Sequence, residues 1–240
     1  MPTSSRSDPT PGWLLDEVAS AGRENLDVEH VARYDDKEDA RAEEEIALCR
    51  ALGIGPSSTI VEFGSGTGQF TTAAASTCAR VVAVDVSAVM HDRLRTKLKD
   101  GGIVNVELVQ AGFVTYRHTG EPADLVYSRY ALHHLPDFWK AVALDRMHGI
   151  LRPGGILRLS DVVFSFEPND AVERIESWCS TGGPGVEDGW SRAELEEHVR
   201  DEHSTFSWIL EPMAVRCGFT VEFADYSDDQ ISAKYILRRT

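Results

Sequence analysis

Short apolar runs alternate with longer amphipathic segments through the middle of this 240-residue chain. The apolar runs predict strands at residues 59–63, 80–85, 104–110, 124–127 and 155–160. Segments with helical spacing lie between them, at residues 68–79, 87–100 and 137–150. Continuous apolar strands joined by helices are typical of a parallel sheet that is covered on both faces. Because such connections are right-handed, the pattern predicts a doubly wound α/β fold.

The segment before this alternation predicts a tail and a group of helices. Residues 1–12 are rich in Pro, Ser and Thr, and they predict a disordered tail. Helical spacing follows at residues 13–21, 29–34 and 36–52, and Gly53 stands where a helix C-cap belongs. We expect these helices to form a cap that precedes the sheet.

The segment after the fifth predicted strand contains an insertion and a terminal hairpin. Residues 166–189 break the alternation, and a capping box that begins at Ser191 starts another helix. Residues 219–226 and 233–238 are rich in β-forming side chains and are joined by a polar turn. These two runs predict an antiparallel hairpin that completes one edge of the sheet.

Composition narrows the classes of function. The 24 basic and 39 acidic side chains give a net charge of −15, which repels phosphate backbones, so nucleic acid is not an expected substrate. No apolar stretch approaches the ~20 residues of a membrane-spanning helix, and the N-terminus is unlike a secretory signal, so a cytoplasmic location is expected. The chain has four cysteines, Cys49, Cys78, Cys179 and Cys217, and none of them forms a CxxC pair. They therefore predict neither a disulfide framework nor a metal site.

A glycine-rich loop follows the first predicted strand. Residues 61–68 read VEFGSGTG, so the third glycine is Gly68, and the next strand ends at Asp85. A dinucleotide-binding loop has the spacing G-x-G-x-x-G, which would put its third glycine where this chain has Gln69. An acid, Glu62, also precedes the first glycine by two residues. The early third glycine and this acid favour a nucleoside ligand other than a dinucleotide.

This loop resembles the first motif of the class I S-adenosylmethionine-dependent methyltransferases. Residues 104–113, 123–137 and 151–161 are similar to later motifs of the small-molecule branch, including the runs LHHLPD and LRPGG. The similarity covers roughly residues 36–161 and returns in the terminal hairpin. It implies a seven-stranded Rossmann-like sheet, mostly parallel, with a C-terminal antiparallel hairpin. It also implies S-adenosylmethionine as the cofactor and S-adenosylhomocysteine as its product.

The resemblance implies which residues hold the cofactor. Gly64 and Gly66 would let the main chain approach the methionyl part. Glu62 would balance the ammonium group, and Asp85 would accept hydrogen bonds from both ribose hydroxyls. The family often has an acid after the third strand that receives the adenine amino group, whereas this chain has Gly112 there. The full set of predicted cofactor-binding residues is Tyr34, Glu62, Gly64, Ser65, Gly66, Gly68, Asp85, Val86, Met90, Ala111, Gly112, Phe113, Ser128 and Arg129.

Residues after the fourth and fifth strands and in the insertion would meet the methyl acceptor. His133 is the candidate general base, because its ordinary pKa of ~6.5 allows proton uptake near neutral pH. A base is needed only for a hydroxyl or a carbon acid, and the alternative for His133 is that it packs inward and supports its loop. The predicted substrate contacts are His133, His134, Asp161, His203 and Trp208.

The expected activity is in-line transfer of a methyl group to a small organic acceptor. The alternatives are a protein of this fold that binds the cofactor without transferring methyl, as a sensor or scaffold, and an NAD(P)-dependent dehydrogenase. A small molecule is the expected partner, no membrane is expected, and the sequence allows a homodimer. The expected regions are a disordered tail (1–12), N-terminal helices or cap (13–56), a cofactor-binding α/β core (57–166), an inserted lid (167–210) and a helix end with the hairpin (211–240).

Overall fold

The strands follow the predicted alternation and form a single main sheet. The computed structural model describes residues 11–22, 24–32, 34–37, 40–183 and 190–240. The strands are β1 (Thr59–Phe63), β2 (Arg80–Asp85), β3 (Val106–Gln110), β4 (Ala123–Arg129), β5 (Leu151–Phe164), β6 (Thr205–Phe206), β7 (Phe219–Tyr226) and β8 (Ser232–Arg239). Their order is β3-β2-β1-β4-β5-β8-β7, with β6 paired to β5. Strands β1 to β5 are parallel, and β8 is antiparallel to both neighbours, which confirms the predicted fold class.

Helices cover both faces of this sheet. Ile46 and Phe70 belong to the apolar cluster on one face. Leu144 and Leu210 belong to the cluster on the other face. The helices are α1 (Val28–Ala32), α2 (Tyr34–Lys37), α3 (Ala42–Ala51), α4 (Gln69–Ala75), α5 (Ala88–Asp100), α6 (Asp137–Ile150), α7 (Ala171–Cys179), α8 (Arg192–Asp201) and α9 (Ser207–Arg216).

Two helix starts that the sequence predicts are confirmed by their capping contacts. The Ser87 hydroxyl oxygen accepts a hydrogen bond from the backbone N–H of Met90 at the start of α5. At the start of α8, Ser191 and Glu194 form the reciprocal capping box. These bonds satisfy N–H groups that the first turn of a helix leaves without partners.

The N-terminal region departs from the prediction. The helix predicted at residues 13–21 is wrong, because the chain forms successive turns there. The Asp16 carboxylate accepts local backbone hydrogen bonds in one of these turns, which competes with a helix. The helix predicted at residues 36–52 is wrong in its first part, since α3 begins at Ala42 after Arg41, whose φ of 46° is left-handed. Most of the predicted tail lies outside the described residues.

The region after β5 is more regular than the sequence indicates. The stretch predicted as irregular contains α7, whose Ile175 and Trp178 pack against the cluster of Phe166. Helix α9 contains Pro212 in its interior, a residue that argues against a helix when only the sequence is known. Part of the glycine-rich stretch, residues 184–189, lies outside the described residues.

The carboxyl ends of three adjacent parallel strands meet at one edge of the sheet. Phe63 at the end of β1 pairs with Val84 of β2 on one side and with Ser128 of β4 on the other. The glycine loop after β1, Asp85 at the end of β2 and the loop after β4 therefore lie side by side. Ligands of open α/β sheets bind at this edge.

Candidate active site

The glycine loop after β1 forms one wall of a cleft. Gly64 and Gly66 have positive φ angles of 68° and 51°. A Cβ on Gly64 would lie 2.4 Å from the Cβ of Ala131, so this glycine admits the loop after β4. A Cβ on Gly66 would meet nothing within 4 Å, because Gly66 lines the open cleft. Gly64 therefore serves packing, whereas Gly66 leaves main chain open to a ligand.

Asp85 fastens the glycine loop to the end of β2. Its Oδ2 accepts a hydrogen bond from the N–H of Gly66, and its Oδ1 accepts one from the N–H of Ser87, both at 2.8 Å. Burial raises the pKa of the Asp85 carboxyl, although these amide donors oppose the shift. Each oxygen keeps a further acceptor site, so the carboxylate can also receive hydroxyl donors from the cleft that it lines.

Glu62 lies in a narrow recess that adjoins the cleft. Its side chain is 4% exposed, and it accepts a short hydrogen bond from the Thr71 hydroxyl. Burial raises the pKa of Glu62 to about 8, with the Thr71 bond opposing the shift and the nearby charge of Asp85 adding to it. At neutral pH this carboxyl is therefore largely protonated, and a cation brought close to it would favour its ionised form.

The cleft and its recess bring together most of the predicted cofactor residues. Glu62, Ser65 and Gly68 line the recess. Ser128 lines neither the cleft nor the recess, since its side chain is fully buried within β4. The predicted residues that line the cleft itself are Tyr34, Gly64, Gly66, Asp85, Val86, Met90, Ala111, Gly112, Phe113 and Arg129.

Glu17 is a cleft residue that the sequence analysis missed. Its carboxylate accepts hydrogen bonds from the N–H groups of Val114 and Thr115, both at 2.9 Å. A Cβ on Gly112 would lie 2.3 Å from this carboxylate, so the glycine makes room for it. The loop after β3 thus lacks its own acid, and an acid from the N-terminal segment lies there instead. Gly112 was the only indication in the sequence that another group fills this position. No neighbouring residue indicated that the group would be the Glu17 carboxylate.

Polar contacts fasten the N-terminal segment over the cleft. The Asp35 carboxylate receives the hydroxyl of Thr67 and lies 2.6 Å from Nζ of Lys97. The Ser87 hydroxyl donates to the backbone carbonyl of Asn25 at 2.6 Å. The segment is therefore attached both to the glycine loop and to α5.

A second cavity of about 650 Å³ opens beside the cleft. Tyr34, Arg129, Tyr130 and His134 border both spaces. Tyr130 has a positive φ of 47°, which is a strained conformation for a tyrosine and is found mainly at functional loops. The far walls of the cavity are aromatic and acidic, and they include Trp178, Trp190, Glu194, Glu197, Glu202 and Asp229.

His133 lies between two carboxylates at the edge of this second cavity. Its Nδ1 is 2.5 Å from Oδ1 of Asp161, and its Nε2 is 2.9 Å from Oε2 of Glu202. Burial alone would lower the pKa of His133, but these two carboxylates raise it to about 10. An imidazole with both nitrogens engaged and so high a pKa does not take up a proton at neutral pH. These contacts favour the alternative in which His133 packs inward and supports its loop.

The other predicted substrate contacts divide into one cavity residue and several that lie elsewhere. His134 borders the cavity, and burial, together with the charge of His133, lowers its pKa to about 3, so it is neutral. Asp161 is buried and accepts hydrogen bonds from the N–H groups of Leu132 and Val162. Through these bonds it holds the loop after β4 against β5.

His203 and Trp208 line neither space, so the structure does not bring them together with the other predicted substrate contacts. The N–H of His203 donates to the backbone carbonyl of His133 at 2.9 Å, so this residue joins the two segments through its main chain. Trp208 is 57% exposed and stacks on Phe206 with a centroid separation of 5.3 Å. Both residues follow α8, where the chain turns away from the cavity towards β6 and α9.

The fold and the site together define a nucleoside-binding α/β protein with room for a second ligand beside the first. Residues 60–155 match the methyltransferase domain family. An uncharacterized methyltransferase of Anoxybacillus flavithermus is 30% identical over 164 residues, which cover 68% of this chain and 70% of that protein. An uncharacterized methyltransferase of Geobacillus kaustophilus is 26% identical over 167 residues, or 69% of this chain and 70% of that protein.

Solved structures share this fold. The magnesium protoporphyrin IX methyltransferase of Synechocystis, solved with S-adenosylmethionine, gives a TM-score of 0.65 at 14% identity and covers 96% of this chain and 100% of that one. The N-methyltransferase NodS of Bradyrhizobium japonicum, solved with S-adenosylhomocysteine, gives 0.62 at 20% identity, with 94% and 99% covered. At these identities the likeness establishes the fold alone.

The chain belongs to the class I S-adenosylmethionine-dependent methyltransferases. Its cofactor is S-adenosylmethionine, and the dehydrogenase alternative is excluded. Within the described residues, no helix has the length and apolar character needed to span a bilayer.

Proposed function

We propose that this enzyme transfers a methyl group in line from S-adenosylmethionine in the cleft to a small organic acceptor in the second cavity. The observation that carries the proposal is the wall that the two spaces share, formed by Tyr34, Arg129, Tyr130 and His134. An acceptor in the second cavity would meet the cofactor without crossing bulk solvent. The bound cofactor supplies a methyl carbon on a positively charged sulfur, and the residues of the chain supply alignment and exclusion of water.

The polar groups of the cleft fit the two ends of this cofactor. Asp85 would accept the ribose hydroxyls, and Glu17, beside Gly112, would accept the adenine amino group. The open main chain at Gly66 would receive the methionyl carboxylate, and Glu62 in the recess would balance the ammonium group. Each cationic or hydroxyl-bearing part of the ligand would thus face a carboxylate of the protein. Such contacts are charge-assisted hydrogen bonds, which are stronger than neutral ones.

The cleft has to widen when the cofactor enters. It encloses about 90 Å³, whereas small-molecule sites usually measure roughly 300–1,000 Å³. The side of the cleft formed by Glu17, Ala21 and Asn25 belongs to the N-terminal segment, which is built from turns and short helices. We expect this segment to open for the cofactor and then to close over it, which would exclude water from the transfer.

The walls of the second cavity limit the kind of acceptor. Glu197, Glu202 and Asp229 place negative charge around it, and Trp178 and Trp190 offer flat apolar surfaces. These walls favour a neutral or cationic molecule with a planar part over a polyanion. An amine or thiolate acceptor would attack unaided, whereas a hydroxyl or a carbon acid would need a base or another activating group.

Transfer of label from methyl-labelled S-adenosylmethionine into a metabolite extract tests this proposal. We expect enzyme-dependent label in a small-molecule fraction. Trp178→Ala, in the cavity wall, should lower transfer at least tenfold while S-adenosylhomocysteine binding is kept, because Trp178 lines the second cavity but not the cleft. The matched control is Trp208→Ala, whose side chain lies outside both spaces and which should transfer as the wild type does. Label only in protein or RNA would contradict a small-molecule acceptor.

A further inference from the structure

The second cavity contains a group of side chains with the composition of a metal site. Among the described residues, His133, His198 and Glu202 bring one potential ligand atom each to within 4.8 Å of one another. His198 lies on α8 and Glu202 directly follows that helix, so their spacing of four residues puts them on one face. His133 comes from the loop after β4. Two imidazoles and a carboxylate are a known ligand set of catalytic zinc sites.

Each of these histidines has its other ring nitrogen held by a polar partner. Nδ1 of His133 lies 2.5 Å from Asp161, which leaves Nε2 facing Glu202, and an ion bound there would replace the proton on Nε2. Nε2 of His198 lies 2.8 Å from the Ser204 hydroxyl, and its Nδ1 lies 2.7 Å from the same oxygen of Glu202. Metal-binding histidines are oriented in this way, with the nitrogen that does not bind the metal held by a carboxylate or another polar group. The two remaining nitrogens therefore converge on one point.

The Glu202 oxygen lies slightly closer to each histidine nitrogen than ligand atoms lie to one another around a bound ion. Metal–ligand bonds of ~2.0–2.1 Å place the ligand atoms of a tetrahedral site roughly 3.3 Å apart. Oε2 of Glu202 lies 2.7 Å and 2.9 Å from the two histidine nitrogens, so these separations need to grow by about half an ångström. The Glu202 side chain is 18% exposed and borders the cavity, so its carboxylate has open space beside it for this small shift.

Other bonds already join the segments that carry the three ligands. The N–H of His203, next to Glu202, donates to the carbonyl of His133 at 2.9 Å. The buried ammonium of Lys140 contacts the His203 carbonyl and lies 3.0 Å from Asp137 at the start of α6. The end of α8 is therefore held against the loop after β4, and the ligand atoms are positioned before any ion arrives.

We infer that His133, His198 and Glu202 bind a divalent transition-metal ion of the zinc type in the wall of the acceptor cavity. The spacing of residues in the sequence does not predict this metal site, because His133 is far from His198 and Glu202 along the chain. A ligand position left open would face the cavity, where a donor atom of the acceptor would complete the coordination. An ion there would promote loss of a proton from an acceptor hydroxyl. That catalytic role rests on the proposed function, whereas binding of the ion does not.

Titration of the untagged, metal-stripped enzyme with Co²⁺, followed by visible absorption and calorimetry, tests this inference. We expect one ion per chain, an intense d–d absorption typical of four- or five-coordinate cobalt, and displacement by Zn²⁺ but not by Mg²⁺, which prefers oxygen ligands. Asp161→Asn should weaken binding by ~10–100-fold, and His198→Ala and Glu202→Gln should weaken it further. The matched control, His118→Ala, changes a histidine outside the cavity and should bind as the wild type does.

Absence of stoichiometric Co²⁺ binding in folded wild-type enzyme would overturn the inference. Equal affinity in the wild type, His198→Ala and Glu202→Gln would overturn it as well. The wild-type spectrum alone is decisive, so the test does not require that every variant folds. S-adenosylhomocysteine binding uses none of the three ligands and is measured in parallel, which separates failure of the metal site from failure of the proposed function.

Discussion

At Gly112 the chain lacks a side chain in the place where related enzymes often carry an acid, and the Glu17 carboxylate fills that space. Glu17 also accepts the two N–H groups that begin the turn after β3, so it holds this loop in shape. A carboxylate from the N-terminal segment reaches the loop only while that segment is docked. Recognition of adenine at this position would therefore be coupled to closure of the segment.

Removal of the charge on Glu17 tests its proposed contact with the adenine amino group. A hydrogen bond to a charged group contributes about 1.5–3 kcal/mol, so Glu17→Gln should weaken S-adenosylhomocysteine binding by roughly 10–100-fold. The inosine analogue, which lacks the amino group, should bind wild type and Glu17→Gln with similar affinity in calorimetry. Glu29→Gln, on the exposed face of α1, is the control. Equal losses for both ligands would show that Glu17 acts only on the loop.

Glu62 makes cofactor binding depend on pH. Its folded pKa of about 8 lies above the ordinary value of 4.5, so the stability it contributes to the free enzyme is present below about pH 4.5 and is lost as the pH rises through about 8. The ammonium group of bound S-adenosylhomocysteine would favour the ionised form of Glu62. Binding of this ligand at pH 6.5 should therefore release a proton from Glu62, and the affinity for the ligand should rise towards pH 8. Calorimetry in buffers of different ionisation enthalpy measures the release. In Glu62→Gln this component should vanish, and an unchanged proton release would refute the assignment.

At the scale of elements, the sequence predicts best where the local pattern and the tertiary structure agree. Helix α6 (Asp137–Ile150) and the hairpin strand β7 (Phe219–Tyr226) have the predicted bounds. The predictions fail where a side chain makes a local bond in place of a helix, as Asp16 does, and where a helix forms in a stretch without a clear pattern, as α7 does. Neither effect is visible in the spacing of apolar residues alone.

One buried ion pair ties α3 to the central sheet. Arg158 of β5 makes two hydrogen bonds with Glu45, at 2.9 Å and 2.7 Å, and their side chains are 4% and 13% exposed. Removal of one partner from a buried pair leaves an uncompensated charge. We expect Glu45→Gln to lower the free energy of unfolding by about 3 kcal/mol and Tm by roughly 6–12 °C.

The neighbouring Glu44 provides the control for this pair. It contacts Arg41 at 2.7 Å, but both side chains are more than half exposed, so Glu44→Gln should change stability by less than about 1 kcal/mol. Thermal and urea unfolding of the two variants compares them directly. Equal stability of Glu45→Gln and Glu44→Gln would contradict a structural role for the buried pair.

At the scale of the whole molecule, the site combines a local motif with distant segments. The glycine loop and Asp85 were predictable because one turn and the end of the next strand carry them, and their positions follow from the parallel sheet. Glu17 and the ligand trio of the second cavity were not, because the chain assembles them from the N-terminal segment, the loop after β4 and α8. Such long-range placement depends on packing that no single segment encodes.

The central claim is that the cleft at the carboxyl edge of the sheet holds S-adenosylmethionine through Asp85. Calorimetric titration of S-adenosylhomocysteine into the wild type and Asp85→Asn tests it, with Asp92→Asn on the exposed face of α5 as the control. We predict saturable one-site binding that Asp85→Asn weakens at least tenfold and Asp92→Asn leaves unchanged, with no binding of NADH. Tight NADH binding without S-adenosylhomocysteine binding, or equal affinity in Asp85→Asn and the wild type, would contradict the account.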